Sequence, residues 1–407
     1  MNDKHDRREF IIRPLQWAAA TTLLGGLDAS LLAQSPAASG TSLSGAKPIY
    51  RTLGKTGISL PVVSMGVMNA DVPGLIRRGY EVGMRHFDTA AGYQQGRNEE
   101  MVGSMIKEMG VRDKVTISTK AALRGPAATS TQAADMFRKI FEGSLKRLRM
   151  DHVDILYYHA VNTAEGARAE GPIAALAVLK KEGKARFVGI STHRPEAILN
   201  EAMRLGVYDV VLITINYTMA NDKGLADAID RAAKMGIGIV AMKTQAGGLA
   251  KPDPKLPKNL PPASQTALLK WVLRHESITT AIPGFTTYEQ LEQNFSVVGD
   301  LSYTAAEKEF LGDKNFVAEA QFCKQCGQCK PDCPLHADIP TLMRSHMYAV
   351  QYSNRELAVD TLASIDRGHG LDACSQCTSC SASCRADVNI GRKIQHLKQL
   401  DLQQTLA

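Results

Sequence analysis

Eight short apolar runs alternate with helical patterns over about 250 residues, which is the strand count and length of a (β/α)8 barrel. Near the end of the 407-residue chain, all eight cysteines gather in two short runs. Both runs have the spacing C-x2-C-x2-C-x3-C, that of [4Fe–4S] ligation. Together these observations predict an α/β protein: a (β/α)8 TIM barrel followed by a small C-terminal α-helical iron–sulfur domain.

The predicted strands, in order, are Val62–Val67, Arg85–Thr89, Val115–Lys120, Val153–His159, Arg186–Ser191, Val210–Asn216, Gly238–Lys243 and Thr279–Pro283. They are short β-rich runs. Between them lie helical patterns such as Thr131–Arg149, whose Phe137, Ile140, Phe141, Leu145 and Leu148 recur at helical spacing. Ile173–Glu182, Pro195–Leu205, Leu225–Met235 and Ser264–His275 are the others. A doubly wound open sheet is the competing architecture; it ranks second because no G-x-G-x-x-G follows the first strand. After the seventh strand, Gly247 to Pro262 holds five prolines, which cannot continue a helix, so the segment reads as a long loop and a candidate lid.

Four segments follow: residues 1–40 as signal and linker, 49–300 as barrel, 301–320 as a connecting helix and 321–403 as the cysteine domain. The first contains Arg7-Arg8-Glu9-Phe10-Ile11, then an apolar stretch from Leu15 to Leu27, then small residues around Ala33 to Ser39. That stretch is too short to span a bilayer, which takes about 20 residues. The pattern resembles a twin-arginine export signal and implies a periplasmic or otherwise exported protein and an encounter with the twin-arginine machinery. Export after folding suits a chain of cluster thiolates, which would risk disulfides if exported unfolded.

Composition is ordinary for a globular protein, with 44% hydrophobic and 22% charged residues and a formal charge of +7. The lysines and arginines are scattered and form no basic block with aromatic interleaving, so nucleic-acid binding is not expected.

The first cysteine run is Cys323, Cys326, Cys329 and Cys333, followed by Pro334; the second is Cys374, Cys377, Cys380 and Cys384, followed by Arg385. In two-cluster ferredoxins the fourth cysteine of each run ligates the other cluster. That rule predicts one cluster on Cys323, Cys326, Cys329 and Cys384, and another on Cys374, Cys377, Cys380 and Cys333. Zinc and disulfides are the competing readings; structural zinc usually pairs two C-x2-C units across a longer gap. The 40-residue spacer carries helical patterns at Pro340–Tyr352 and Glu356–Ile365, and so resembles an α-helical ferredoxin module.

The barrel carries a second constellation. Asp88 and Tyr93 stand five apart in Arg85-His86-Phe87-Asp88-Thr89-Ala90 and its continuation; Lys120 closes the third strand and His159 the fourth. Carbonyl reduction needs a hydride at carbon and a proton at oxygen. A tyrosine, with an ordinary pKa near 10, exchanges protons more readily beside a cation, so Lys120 is expected to lower Tyr93. Asp88 would keep Lys120 charged, and His159 would hydrogen-bond the oxygen as charge develops. Asp, Tyr, Lys and His in this order resemble the catalytic tetrad of the aldo/keto reductase family. Leu53-Gly54-Lys55-Thr56-Gly57, Gly183 to Ser191, and Ala281-Ile282-Pro283-Gly284 with Gln290 and Asn294 resemble further segments of that family over about residues 49–300.

The resemblance implies nicotinamide dinucleotide contacts at Ser191, Tyr217, Gly284, Gln290 and Asn294. Members that prefer NADP often place a cation just after Ile-Pro-Gly; here the residues are Phe285-Thr286-Thr287-Tyr288, which leaves NAD versus NADP open. The expected protein is an exported oxidoreductase acting on a small carbonyl or alcohol, with two [4Fe–4S] clusters and a redox partner protein. A barrel that only binds cofactor as a sensor or scaffold, and a catalytic barrel with purely structural clusters, are the alternatives.

Overall fold

The computed structural model describes residues 47–123, 128–245, 263–313, 322–375 and 377–400. The predicted export signal, the Gly247–Pro262 loop and the end of the connecting helix lie outside them. A hairpin of β1 (Tyr50–Thr52) and β2 (Ser59–Pro61) precedes eight parallel strands: β3 (Met65–Gly66), β4 (His86–Asp88), β5 (Thr116–Ala121), β6 (Val153–Tyr158), β7 (Ala185–Thr192), β8 (Val210–Thr214), β9 (Gly238–Met242) and β10 (Thr280–Ala281). Each pairs with its sequence neighbour, and bridges from Val63 to Ala281 and from Gly66 to Gly284 close first strand onto last. The fold is therefore the predicted barrel, with every predicted strand at its place.

Closure depends on Gly66. A Cβ there would lie 2.6 Å from the Ile282 carbonyl oxygen, so any side chain would push the first and last strands apart.

The longest barrel helix has both a cap and an apolar stripe. Thr129 caps Ser130–Leu148, accepting from the Gln132 amide, and Phe137, Phe141, Leu145 and Leu148 turn inward. The barrel interior is filled from below: Leu53 and Leu60 of the hairpin pack against Ile155, Tyr157, Val210, Leu212 and Val240. This plug leaves only the C-terminal strand ends for a site.

The connecting segment is helical over Ala305–Gly312, where Thr304 and Glu307 form a capping box. Lys270 of the last large barrel helix meets Glu307 at 2.9 Å, both nearly buried, fixing this connection to the barrel.

The cysteine domain has helices Ile339–His346, Arg355–Ala363 and Ile390–Gln399. The predicted helix Pro340–Tyr352 runs as an α-helix only to His346 and continues as a π-turn, Met347–Gln351. The domain rests on the barrel's C-terminal face: Asn354 donates to Asn69 at 3.0 Å, Arg97 pairs with Glu356 at 3.1 Å, and Arg194 donates to the Cys326 carbonyl at 3.3 Å.

Candidate active site and cluster cavities

Asp88 ends β4 and Lys120 lies near the end of β5; each is 1% exposed. The Lys120 ammonium donates to the Asp88 carboxylate, to the Thr89 carbonyl at 2.7 Å and to the Tyr93 hydroxyl at 3.3 Å. The other Asp88 oxygen accepts from the Ser118 hydroxyl at 2.6 Å, and Ser118 also contacts His86 Nε2 at 2.8 Å. His159 stands edge-on to Tyr93, ring centres 5.9 Å apart. The four predicted catalytic residues thus come together, three of them as neighbours in one hydrogen-bonded chain.

Their electrostatics differ from the sequence expectation in one respect. Burial first, and then the Asp88 carboxylate, hold the Tyr93 phenol well above its ordinary 10. The expected lowering by Lys120 does not result, because Asp88 answers that cation's charge and desolvation penalises tyrosinate. Burial likewise draws Lys120 below its ordinary value, opposed by Asp88. The site therefore holds Tyr93 in its acid form.

A cavity of about 130 Å³ opens above these groups. Asp88, Tyr93 and His159 line it, with Gly66, Gly284, Gln290, Thr244 and Gln245 on the barrel side. Of the non-glycine residues with positive φ, Lys243 (57°) lines it, and Gln94 (50°) and Ala160 (57°) directly follow the lining residues Tyr93 and His159. Backbone held in this sparsely populated region tends to collect at functional sites.

Of the predicted cofactor contacts, Gly284 and Gln290 line the cavity; Ser191, Tyr217 and Asn294 do not. Ser191 accepts from the Ala160 amide at 2.9 Å and so fixes the turn after His159. Tyr217 donates to the Leu311 carbonyl at 2.5 Å and packs edge-on against Trp271. Asn294 accepts from Gln245 at 2.6 Å, which holds that amide at the cavity wall.

Sequence reasoning missed the cavity's other wall. His193, Met242 and Lys243 come from the barrel, and Tyr348 and Tyr352 from the cysteine domain. His193 follows directly on a strand end that the sequence does show. Tyr348 had no such signal, lying in an ordinary helical pattern.

The cysteines fall into two groups. Cys323, Cys326, Cys329 and Cys384 line one cavity of about 250 Å³; Cys333, Cys374, Cys377 and Cys380 line another of about 50 Å³. Among the described residues no three His, Cys, Asp or Glu side chains converge on a single-ion site. Four thiols walling a cavity fit a polynuclear cluster better than one tetrahedral zinc. Asp222 of the barrel also lines the first cavity, and a gap walled by Cys323, Gln325 and Arg344 on one side reaches His193 and Lys243 on the other. The second cavity is walled by the cysteine domain alone.

Comparison with known proteins agrees with this geometry. Residues 65–266 match the Aldo/keto reductase family and residues 322–389 match the 4Fe-4S dicluster domain. Among curated proteins, L-glyceraldehyde 3-phosphate reductase of Escherichia coli (strain K12) is 28% identical over 316 residues, covering 63% of this chain and 90% of that protein. L-galactose dehydrogenase of Arabidopsis thaliana is 28% identical over 304 residues, covering 66% and 94%. Among solved structures, the aldo-keto reductase AKR11C1 from Bacillus halodurans superposes with a TM-score of 0.55 at 23% identity, covering 65% of this chain and 95% of that one.

Proposed function

From an oxidoreductase chain that carries an aldo/keto reductase domain and a 4Fe–4S dicluster domain, we propose a nicotinamide-dependent enzyme that interconverts a small carbonyl compound and its alcohol. One observation carries this reading: the buried Lys120 ammonium, tied to Asp88, reaches the Tyr93 hydroxyl at 3.3 Å on the floor of an open cavity.

The residues fit a nicotinamide dinucleotide. Gly66 and Gly284 leave bare backbone at the wall, and the Thr244 hydroxyl is buried there without a protein partner. When bound, the nicotinamide supplies or accepts the hydride. The chain's own residues manage the proton. Tyr93, kept protonated by burial, donates from its hydroxyl to the substrate oxygen as negative charge develops on it. Lys120, 3.3 Å away, then stabilises the phenolate so formed, and Asp88 keeps Lys120 in place. His159 beside Tyr93 orients the same oxygen. In the oxidising direction Tyr93 takes the proton back.

Two [4Fe–4S] clusters are proposed for the two cysteine cavities, with the ligand sets that line them. Burial pushes the Cys323 and Cys329 thiols to about 11, so cluster assembly must displace protons there. The first cavity borders the barrel and is proposed as the inner cluster; the second would face an external redox partner. Folded export by the twin-arginine route, with the dinucleotide loaded beforehand, completes the reading and rests on the Arg7-Arg8 pattern.

The decisive experiment is Tyr93→Phe in anaerobically purified protein. Loss of turnover with visible cluster absorbance retained supports the enzyme; unchanged turnover supports a scaffold. Iron, sulfide and nicotinamide assayed together in the exported form test the rest: a preparation without nicotinamide sinks loading before export.

A further inference from the structure

Opposite Tyr93, the cavity contains a second tyrosine–lysine pair that the proposed chemistry does not use. Lys243 follows β9 and is held at φ 57°, a conformation that glycine or asparagine would adopt at less cost. Its ammonium contacts the Tyr348 hydroxyl at 3.2 Å and lies 4.5 Å and 5.2 Å from the ring centres of Tyr348 and Tyr352. The Tyr348 hydroxyl in turn meets His193 Nε2 at 3.4 Å. His193 is 5% exposed, and its Nδ1 is buried without a partner.

Among the described residues no acid answers Lys243. Asp88 is the one carboxylate among the described residues lining the cavity, and Lys120 engages it. Burial draws Lys243 below its ordinary value, opposed by Tyr348, while Arg344 and Lys120 add charges of its own sign. His193 contributes no charge, since burial, then Arg344 and Lys243, holds it neutral well below its ordinary 6.5. The wall thus presents one net positive charge, in an aromatic frame, facing the cavity of the proton-donating tyrosine. A partly buried cation of this kind is stabilised by one ionised partner.

We propose that Lys243, with Tyr348 and His193, is a carboxylate-binding subsite, and that the substrate is a monoanion carrying a carboxylate besides its carbonyl or alcohol. This rests on the reading of the Tyr93 site as catalytic. The subsite spans two domains, so the iron–sulfur domain helps choose the substrate. A single cation matches a carboxylate better than a phosphate dianion. The ammonium contacts Tyr348, whose hydroxyl meets His193 after β7. A substrate carboxylate reaching this wall would face both domains.

The test uses the holoprotein and matched probes. Succinic semialdehyde and butanal differ in a carboxylate; butyrate and 1-butanol do so as non-reacting ligands. In Lys243→Met, the preference in kcat/KM for succinic semialdehyde over butanal falls by roughly 30-fold, and butyrate binding by calorimetry weakens similarly. Lys243→Arg recovers part of both. Cluster absorbance serves as the folding control. The proposal is overturned if wild-type protein binds butyrate no more tightly than 1-butanol, if inorganic phosphate binds in its place, or if Lys243→Met leaves the preference intact. It is also overturned if the loss lies in dinucleotide affinity, read by NADH and NADPH fluorescence. Lys243-dependent butyrate binding without any turnover supports the subsite and instead counts against the catalytic reading.

Discussion

One cavity is faced by two tyrosine–lysine pairs of nearly equal geometry: Tyr93 with Lys120 at 3.3 Å, and Tyr348 with Lys243 at 3.2 Å. Lys120 is buried against Asp88 inside the barrel; Lys243 has no carboxylate partner among the described residues and leans on two aromatic rings from another domain. The same two residue types therefore end in different electrical states. The Asp88–Lys120 pair is self-neutralised and serves a proton that moves. The charge of Lys243 is left over, and serves an ion that arrives. What surrounds a lysine, more than the lysine itself, decides its use.

The comparison can be broken at several points. The largest expected effect is at Tyr93: Phe there should lower kcat/KM by about 10²- to 10⁴-fold, the usual share of positioned proton transfer, whereas Tyr348→Phe should not approach this. Tyr93 sits well above 10, and the acid form is needed for reduction. Wild-type reduction should accordingly show no fall from this group as pH rises toward 10, and a falling limb below that value assigned to Tyr93 would refute the electrostatic account.

Next comes stability. Lys120→Met leaves the Asp88 carboxyl, 1% exposed, without its cation, and should cost about 3–5 kcal/mol in denaturant unfolding. Lys243→Met removes an unanswered cation and should cost less than about 1 kcal/mol, or stabilise. Equal losses would mean the two lysines are not electrically different. Tyr348→Phe deletes one neutral hydroxyl, and should change the affinity for butyrate by only about 3- to 10-fold. The smallest effect is at the domain boundary. Arg97→Ala breaks an exposed pair with Glu356 and should cost at most about 1 kcal/mol, so a larger loss would show that the boundary leans on this contact.

Much of this was legible in the sequence, for physical reasons. The barrel strands are continuous β-branched runs because both faces are buried, and Asp88, Lys120 and His159 could be placed because strand ends are easily read. Where the Tyr217 and Ser191 side chains turn was not legible, because chain order along a strand end does not say it; one bonds Leu311, the other Ala160. Lys243 looked like the last residue of a strand, and nothing local announced its positive φ. Tyr348 was hidden more deeply. It reaches the cavity because a helix of one domain changes to a π-turn above the mouth of another, a relation some 155 residues from His193 in sequence.

The grouping of the cysteines has a consequence for how the protein is made. Cys384 lines the cavity of Cys323, Cys326 and Cys329, while Cys333 lines that of the later run. If each cavity takes a cluster, the second set of thiols is complete once the ribosome has passed Cys380, and the first only once it has passed Cys384. The barrel, complete some 80 residues earlier, is free to fold first. Cluster insertion then follows the folding of the barrel, and it requires both cysteine runs to have been synthesised.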